Sequence, residues 1–116
     1  MTASGPADCV FCRIVRGELG SNKLLENEWV LAFSDLHPKA PVHGIIIPKR
    51  HVATLDDFVA DDRELLGRLM LAAREIAAQH RLPGYRVVMN VNSIGGQSVF
   101  HAHLHILGGR QMTGFD

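Results

Sequence analysis

The run His101-Ala102-His103-Leu104-His105 places an imidazole at every second position. The chain has 7 histidines in 116 residues, so three within five positions is a concentration that calls for an explanation. In a strand, successive side chains point to opposite faces. His101, His103 and His105 would then share one face at roughly 7 Å spacing, with Ala102, Leu104 and Ile106 turned into a core. On a helix, His103 would point away from the other two. Three imidazoles on one face can bind a metal such as zinc. They can also act on phosphorus, one as nucleophile and the others as proton donors or phosphate binders. Imidazole titrates near neutrality, so a neutral nucleophile and a protonated neighbour can coexist.

The loop Gly95-Gly96-Gln97-Ser98 lies just before this run. Glycine lets a backbone approach an anion closely, Ser98 adds a hydroxyl, and nearby N–H groups can form an anion-binding nest. By itself such a loop is only a turn; before an alternating histidine run it favours phosphate chemistry. At the other end, Cys9-Val10-Phe11-Cys12 spaces two thiols by two residues. That pattern reads as half a metal site or a redox pair, or as two buried thiols, and not as a disulfide framework.

The elements that must carry these residues follow from pattern. Phe11, Ile14 and Val15 have helical spacing, ended by Gly17. Lys23–Leu25 and Trp29–Phe33 read as a hairpin around Glu26-Asn27-Glu28. Pro38 and Pro41 break the chain, and His43–Ile47 is an apolar, β-branched strand closed by Pro48. Asp61–His80 is the clearest helix. Its Leu65, Leu66, Leu69, Met70, Ala73, Ile76 and Ala77 recur every three or four residues, and Asp61 with Glu64 forms a capping-box-like start. Tyr85–Val91 and Val99–Leu107 complete the strands. The expectation is an α+β domain: an antiparallel sheet of about five strands with one long helix and a short N-terminal helix. Residues 1–8 read as a disordered tail and 9–116 as a single domain.

Composition narrows the function. Lys plus Arg equals Asp plus Glu at 12 each, so no net positive field draws in a nucleic acid, while a mononucleotide needs only a local site. No basic-then-apolar leader pattern stands at the N-terminus and no apolar run is long enough to span a bilayer. The expected location is cytoplasmic, with no membrane partner. His37 and His80 carry no pattern and read as surface residues.

His101-Ala102-His103-Leu104-His105-Ile106-Leu107 resembles the signature of the histidine triad (HIT) superfamily, three histidines separated by single apolar residues. Gly96-Gln97-Ser98-Val99-Phe100 and Gly108-Gly109-Arg110-Gln111-Met112 are similar to its Hint branch, the purine nucleoside phosphoramidases. Leu31-Ala32-Phe33-Ser34-Asp35, Pro41-Val42-His43 and Ile47-Pro48-Lys49 also match, so the similarity runs from about Cys9 to Met112. The resemblance implies a nucleotide hydrolase or transferase that cleaves nucleoside 5′-phosphoramidates, or related purine conjugates, at the α-phosphorus. His103 would form a nucleotidyl-histidine intermediate, and water would release the nucleoside monophosphate. His105 would contact the phosphate and help protonate the leaving group. Ser98 and the backbone around Gly96 and Gln97 would hold phosphate and leaving-group atoms, with Asn90 close by. Asp35 would accept the ribose hydroxyls, and Phe11, Ile14, Phe33 and Leu36 would form the purine slot. A homodimer is the usual assembly.

A tryptophan found past the Gly-Gly-Arg-Gln-Met segment in vertebrate-type Hint proteins is missing from Thr113-Gly114-Phe115-Asp116. Either Phe115 stands in for it or the leaving-group end is more open. Some bacterial relatives, by the same resemblance, complete a zinc site with two histidines. Here that site is Cys9, Cys12, His51 and His101, four-coordinate and structural, with no cofactor for the reaction itself. A zinc-bound His101 cannot relay protons, which would make His43 the better supporting residue in the triad. The rival readings are a dinucleoside polyphosphate hydrolase like the Fhit branch, a metallohydrolase with zinc on all three triad histidines, and a nucleotide-responsive scaffold without turnover.

Overall fold

The computed structural model describes residues 6–115. The elements in chain order are α1 (Val10–Val15), β1 (Lys23–Glu26), β2 (Val30–Ser34), β3 (Val42–Pro48), α2 (Arg63–Gln79), β4 (Tyr85–Val88) and β5 (Leu104–Gly108), with three short 3-10 turns between them. The strands form one sheet in the order β1-β2-β3-β5-β4, and every neighbouring pair is antiparallel. This is the expected α+β architecture. Of the tail expected over residues 1–8, residues 1–5 lie outside the described residues. Pro6–Asp8 form a turn closed by the Cys9 N–H on the Pro6 carbonyl at 3.2 Å.

Alternation divides the central strands. Val30, Ala32, Ile46, Leu104 and Ile106 point to one face, where Leu69, Ala72, Ala73, Ile76 and Ala77 of α2 cover them. Leu31, Phe33, Ile45 and Ile47 point to the other, where α1 adds Phe11 and, at its edge, Ile14 and Val15. Both faces are therefore apolar, but only the first is sealed by a long helix. The second keeps room for a ligand. On α2 the expected core position Met70 is 53% exposed and Leu71 is 58% exposed; Ala72 is buried instead. The helix also starts differently. Asp62, not Asp61, closes its entry, accepting the Val59 N–H at 2.9 Å and pairing with Arg50 at 2.8 Å.

The last strand departs most from expectation. Read as Val99–Leu107, it begins at Leu104, whose β3 partner is Ile46. Continuing the register would set Ala102 against Pro48, which has no N–H to give. The Pro48 carbonyl accepts instead from the His101 ring at 2.8 Å, and the Ala102 N–H goes to the Val52 carbonyl at 2.7 Å. β4 ends at Val88 and not at Val91, because its partner His105 is one residue from the start of β5. After β5, Gly109 turns the chain with φ +96°, and a Cβ there would lie 2.8 Å from the Pro41 ring.

Candidate active site

The register sets a row across the sheet: Phe33 opposite Ile45, Ile45 opposite His105, His105 opposite Val88. Apolar wall and imidazole thus come from the same side-chain layer. α1 lays Phe11 over this layer, with ring contacts to Phe33 at 5.5 Å, His101 at 5.8 Å and His103 at 5.2 Å. His103 and His105 meet edge to face with centroids 5.0 Å apart. The three triad histidines therefore reach the same side of the sheet although only His105 belongs to a strand.

A cavity of about 370 Å³ opens here. Phe11, Ile14, Phe33, Asp35, Leu36, Asn90, Gly96, Ser98, His103 and His105 line it, which leaves only Gln97 out of the expected nucleotide-binding set. Val10, Ser34, Ile45, Val99 and the rim residue His37 also line it; His37 has no motif to single it out, and Val10 and Val99 look like ordinary apolar positions. A larger groove, about 690 Å³, lies between the α2–β4 connection and the segment after β5. It contains no triad histidine, so size does not mark the chemistry; convergence of imidazoles does.

Gln97 serves the loop. Its amide donates to the Ala53 and Val99 carbonyls at 2.7 and 3.1 Å, and its side-chain oxygen accepts the Asn92 N–H at 2.8 Å. The expected N–H nest over Gly95, Gly96 and Gln97 is also spent. Those three groups donate to the carbonyls of Asn92 and Ser93, closing a tight 3-10 turn. Gly96 and Ser98 are the loop residues that line the cavity, and the exposed Ser98 carries a hydroxyl.

The hydrogen bonds assign the ring protons. His103 Nδ1 lies 2.8 Å from the His101 carbonyl oxygen, which can only accept. Nδ1 therefore carries the hydrogen, and Nε2 keeps its lone pair. On the other side, the Lys39 N–H donates to His43 Nδ1 at 3.0 Å, so His43 carries its hydrogen on Nε2. That hydrogen is directed at His105 Nδ1, 2.9 Å away, with Asp35 Oδ2 3.3 Å from the same nitrogen. His105 is thereby left with an N–H at Nε2. The cavity wall thus combines a nucleophilic nitrogen on His103 and a hydrogen-bond donor on His105. His43 is buried behind them and touches the cavity only through His105 and Asp35.

Burial sets the charge state. Desolvation pushes His105 down to about 4, with His103 and His43 beside it adding to the effect. Desolvation also lowers His103, opposed by its bond to the His101 carbonyl and by Asp35. His43 is lowered by desolvation against the raising pull of Asp35. The empty site thus holds neutral imidazoles at neutral pH.

His101 is fully buried and faces away from the cavity. Its Nδ1 lies 3.4 Å from Cys9 Sγ, 3.5 Å from Cys12 Sγ and 3.2 Å from His51 Nδ1, and Cys12 Sγ lies 3.2 Å from His51 Nδ1. Tetrahedral zinc with bonds of about 2.0 Å to nitrogen and 2.3 Å to sulfur needs ligand separations of about 3.3 Å (N–N) and 3.5 Å (N–S). The donor atoms already have that spacing. The His101 Nε2–H donates to the Pro48 carbonyl, the outer bond that a metal-bound imidazole requires. Asp35, His43 and His105 also cluster their polar atoms. There, however, His43 Nδ1 accepts a hydrogen bond, so its Nε2 carries hydrogen and has no lone pair for a metal. The donor chemistry suits zinc at the cysteine centre and not at the triad wall.

A family model described as the HIT domain matches residues 16–112. The chain belongs to the HIT domain family. It is 44% identical over 107 residues to an uncharacterized HIT-like protein of Synechococcus elongatus, covering 91% of this chain and 94% of that one. It is 40% identical over 107 residues to the purine nucleoside phosphoramidase of Escherichia coli, covering 90% of each. Among solved structures, a HIT family hydrolase from Legionella pneumophila superposes with TM-score 0.89 at 50% identity, covering 91% of this chain and 96% of that one. A histidine triad protein from Clostridium difficile gives TM-score 0.92 at 37% identity, covering 97% and 99%. The general class is that of the HIT family hydrolases. Among the described residues, no helix is long and apolar enough to cross a membrane.

Proposed function

We propose that the protein hydrolyses purine nucleoside 5′-phosphoramidates. The observation that carries this reading is the opposite proton placement on two imidazoles facing one cavity: a lone pair on His103 Nε2 and an N–H on His105 Nε2. The purine lies in the apolar slot of Phe11, Ile14, Phe33 and Leu36. Asp35 receives the ribose hydroxyls, and the α-phosphate lies among His103, His105, Asn90 and Ser98. Phosphate charge beside His105 raises the proton affinity that burial had lowered, so His105 takes a proton on Nδ1 in the complex and the His43 Nε2–H is left to the Asp35 carboxylate. His103 Nε2 attacks phosphorus, the P–N bond breaks, and the His105 proton goes to the departing amine. Water then attacks phosphorus, the P–Nε2 bond breaks, and His105 takes up the proton water loses. Nucleoside monophosphate leaves and both rings return to their starting states.

Zinc belongs to the same reading. Held by Cys9, Cys12, His51 and His101, it supplies a cross-link between α1, the segment after β3 and the approach to β5, and no reaction chemistry. Elemental analysis of purified protein is expected to give about one zinc per chain. A homodimer agrees with the exposed Met70 and Leu71 on α2. A cytoplasmic location belongs to the same reading, in which the closely spaced cysteines serve a metal and not a disulfide.

The deciding experiment is rapid quenching with adenosine 5′-phosphoramidate followed by mass mapping. Adenylate on His103 supports the proposal, as does faster turnover of this substrate than of a diadenosine polyphosphate. Label on another residue, or none with turnover intact, would sink it.

A further inference from the structure

α2 ends in a conformation that its sequence does not favour. The Leu82 N–H reaches the Ala77 carbonyl at 2.9 Å, and the Arg81 N–H reaches the Ala78 carbonyl at 3.1 Å. This pair of bonds closes a helix when the residue after its cap turns left-handed, and Arg81 does so with φ +53°. Glycine takes that conformation freely; a residue with a Cβ is strained there. The negative end of the α2 dipole favours a cation nearby, yet the last turn itself, where a side chain is unstrained, has none. An arginine at the strained position points to a use for its side chain. Among the described residues, no hydrogen bond or ion pair occupies that guanidinium.

Arg81 lines the groove of about 690 Å³ between the α2–β4 connection and the segment after β5. Arg110 lines it from that segment, with the Gln111 and Lys39 carbonyls taking only two of its five N–H groups. No Asp or Glu lines the groove. The chain as a whole is balanced, 12 Lys plus Arg against 12 Asp plus Glu, so this positive field is local. Leu82, Met112 and the exposed ring of Tyr85 add apolar surface to the same groove. Its far wall is fixed: Arg110 reaches the Lys39 carbonyl at 2.9 Å, and Arg86 of β4 reaches the Gly114 carbonyl at 2.8 Å. The groove shares no lining residue with the nucleotide cavity, and its volume suits a ligand of mononucleotide size.

We propose that this groove is a second ligand site, for a small organophosphate. Arg81 and Arg110 hold the phosphate, and the apolar or aromatic body of the ligand lies on Leu82, Tyr85 and Met112. Guanidinium N–H groups match phosphate oxygens two to two, which a lysine at either position would not reproduce. The site goes beyond the reading of the triad and does not depend on it.

The test is a titration of nitrogen-labelled protein with adenosine monophosphate, followed through backbone amide spectra. Two sets of shifts are expected. One surrounds Asn90, Ser98 and His105; the other surrounds Gly84, Tyr85, Gly109 and Gln111 and has its own dissociation constant. Arg81→Gly should erase the second set and leave the first. Relieved of strain, that variant should unfold in urea at a midpoint no lower than the parent's. Arg81→Asn, which also tolerates the left-handed turn, gives the same reading should the glycine variant not fold. Inorganic phosphate has no body to lay on Leu82 and Tyr85, so it should bind the groove at least about tenfold more weakly. A single set of shifts confined to the nucleotide cavity overturns the proposal, as does a folded Arg81 variant that keeps the second set. Equal affinity for inorganic phosphate overturns the organophosphate assignment. Groove shifts that follow protein concentration, and not ligand, would place a second copy there and overturn it too.

Discussion

His43 Nε2 and His105 Nδ1 lie 2.9 Å apart, and the Lys39 N–H behind His43 decides which of the two donates. The backbone before β3 thereby sets the direction in which His105 presents its hydrogen to the cavity. His43 is a positioning residue in this arrangement. His43→Ala should lower kcat about 10–100-fold while KM for the phosphoramidate changes little, since the side chain is not part of the nucleotide cavity's wall. Steady-state kinetics on a variant shown to be folded checks this; an unchanged kcat would mean that His43 does not position His105.

His103 stands at the end of a different chain of contacts, and its loss should separate chemistry from binding. His103→Gly leaves the purine slot and Asp35 in place. Turnover should drop to background while calorimetry still reports binding of adenosine monophosphate. Residual turnover at a tenth of the parent rate would mean that another group attacks phosphorus.

Burial of the histidines makes stability depend on pH with a definite sign. In the unfolded chain each imidazole takes up its proton near the ordinary value of about 6.5. In the folded chain His105 is held down at about 4, and His103 and His43 are lowered in the same direction. Between those values the unfolded state binds more protons. The stabilisation is complete above about pH 6.5 and drains away as pH falls toward about 4. Thermal unfolding in a series of buffers should show Tm falling through this window, with a shallower fall for His105→Asn. A Tm independent of pH there would contradict the assignment of neutral buried rings.

The turn after β5 gives a prediction about stability alone. Gly109 has φ +96° and its missing Cβ would meet the Pro41 ring at 2.8 Å. Gly109→Ala should destabilise by about 1–3 kcal/mol through backbone strain and that clash. Urea unfolding measures it; a midpoint equal to the parent's would mean that the turn relaxes freely.

Most of the architecture was legible in the sequence because it rests on local periodicity. α2 follows from its apolar repeat, and the strand at His43–Ile47 follows from an apolar, β-branched run. The triad and the Cys-x-x-Cys pair were legible because their spacing is chemical as well as structural. Three features were not. The start of β5 depends on Pro48, which lies on another strand and withholds a hydrogen bond across the register. The role of Gln97 depends on carbonyls at Ala53 and Val99 that its type does not reveal, and the same turn consumes the N–H groups that glycine seemed to promise. Met70 satisfies the helical repeat, yet it falls outside the face that meets the sheet, because the buried arc of α2 passes through Ala72.

The division of β2, β3 and β5 by residue parity has an evolutionary consequence. Even-numbered side chains serve the core under α2; the odd-numbered layer combines core residues, Leu31 and Ile47, with Phe33, Ile45 and His105 of the cavity wall. Changes confined to the even layer leave the ligand-facing wall in place, so descendants of such a chain can shift their working temperature without losing their ligand.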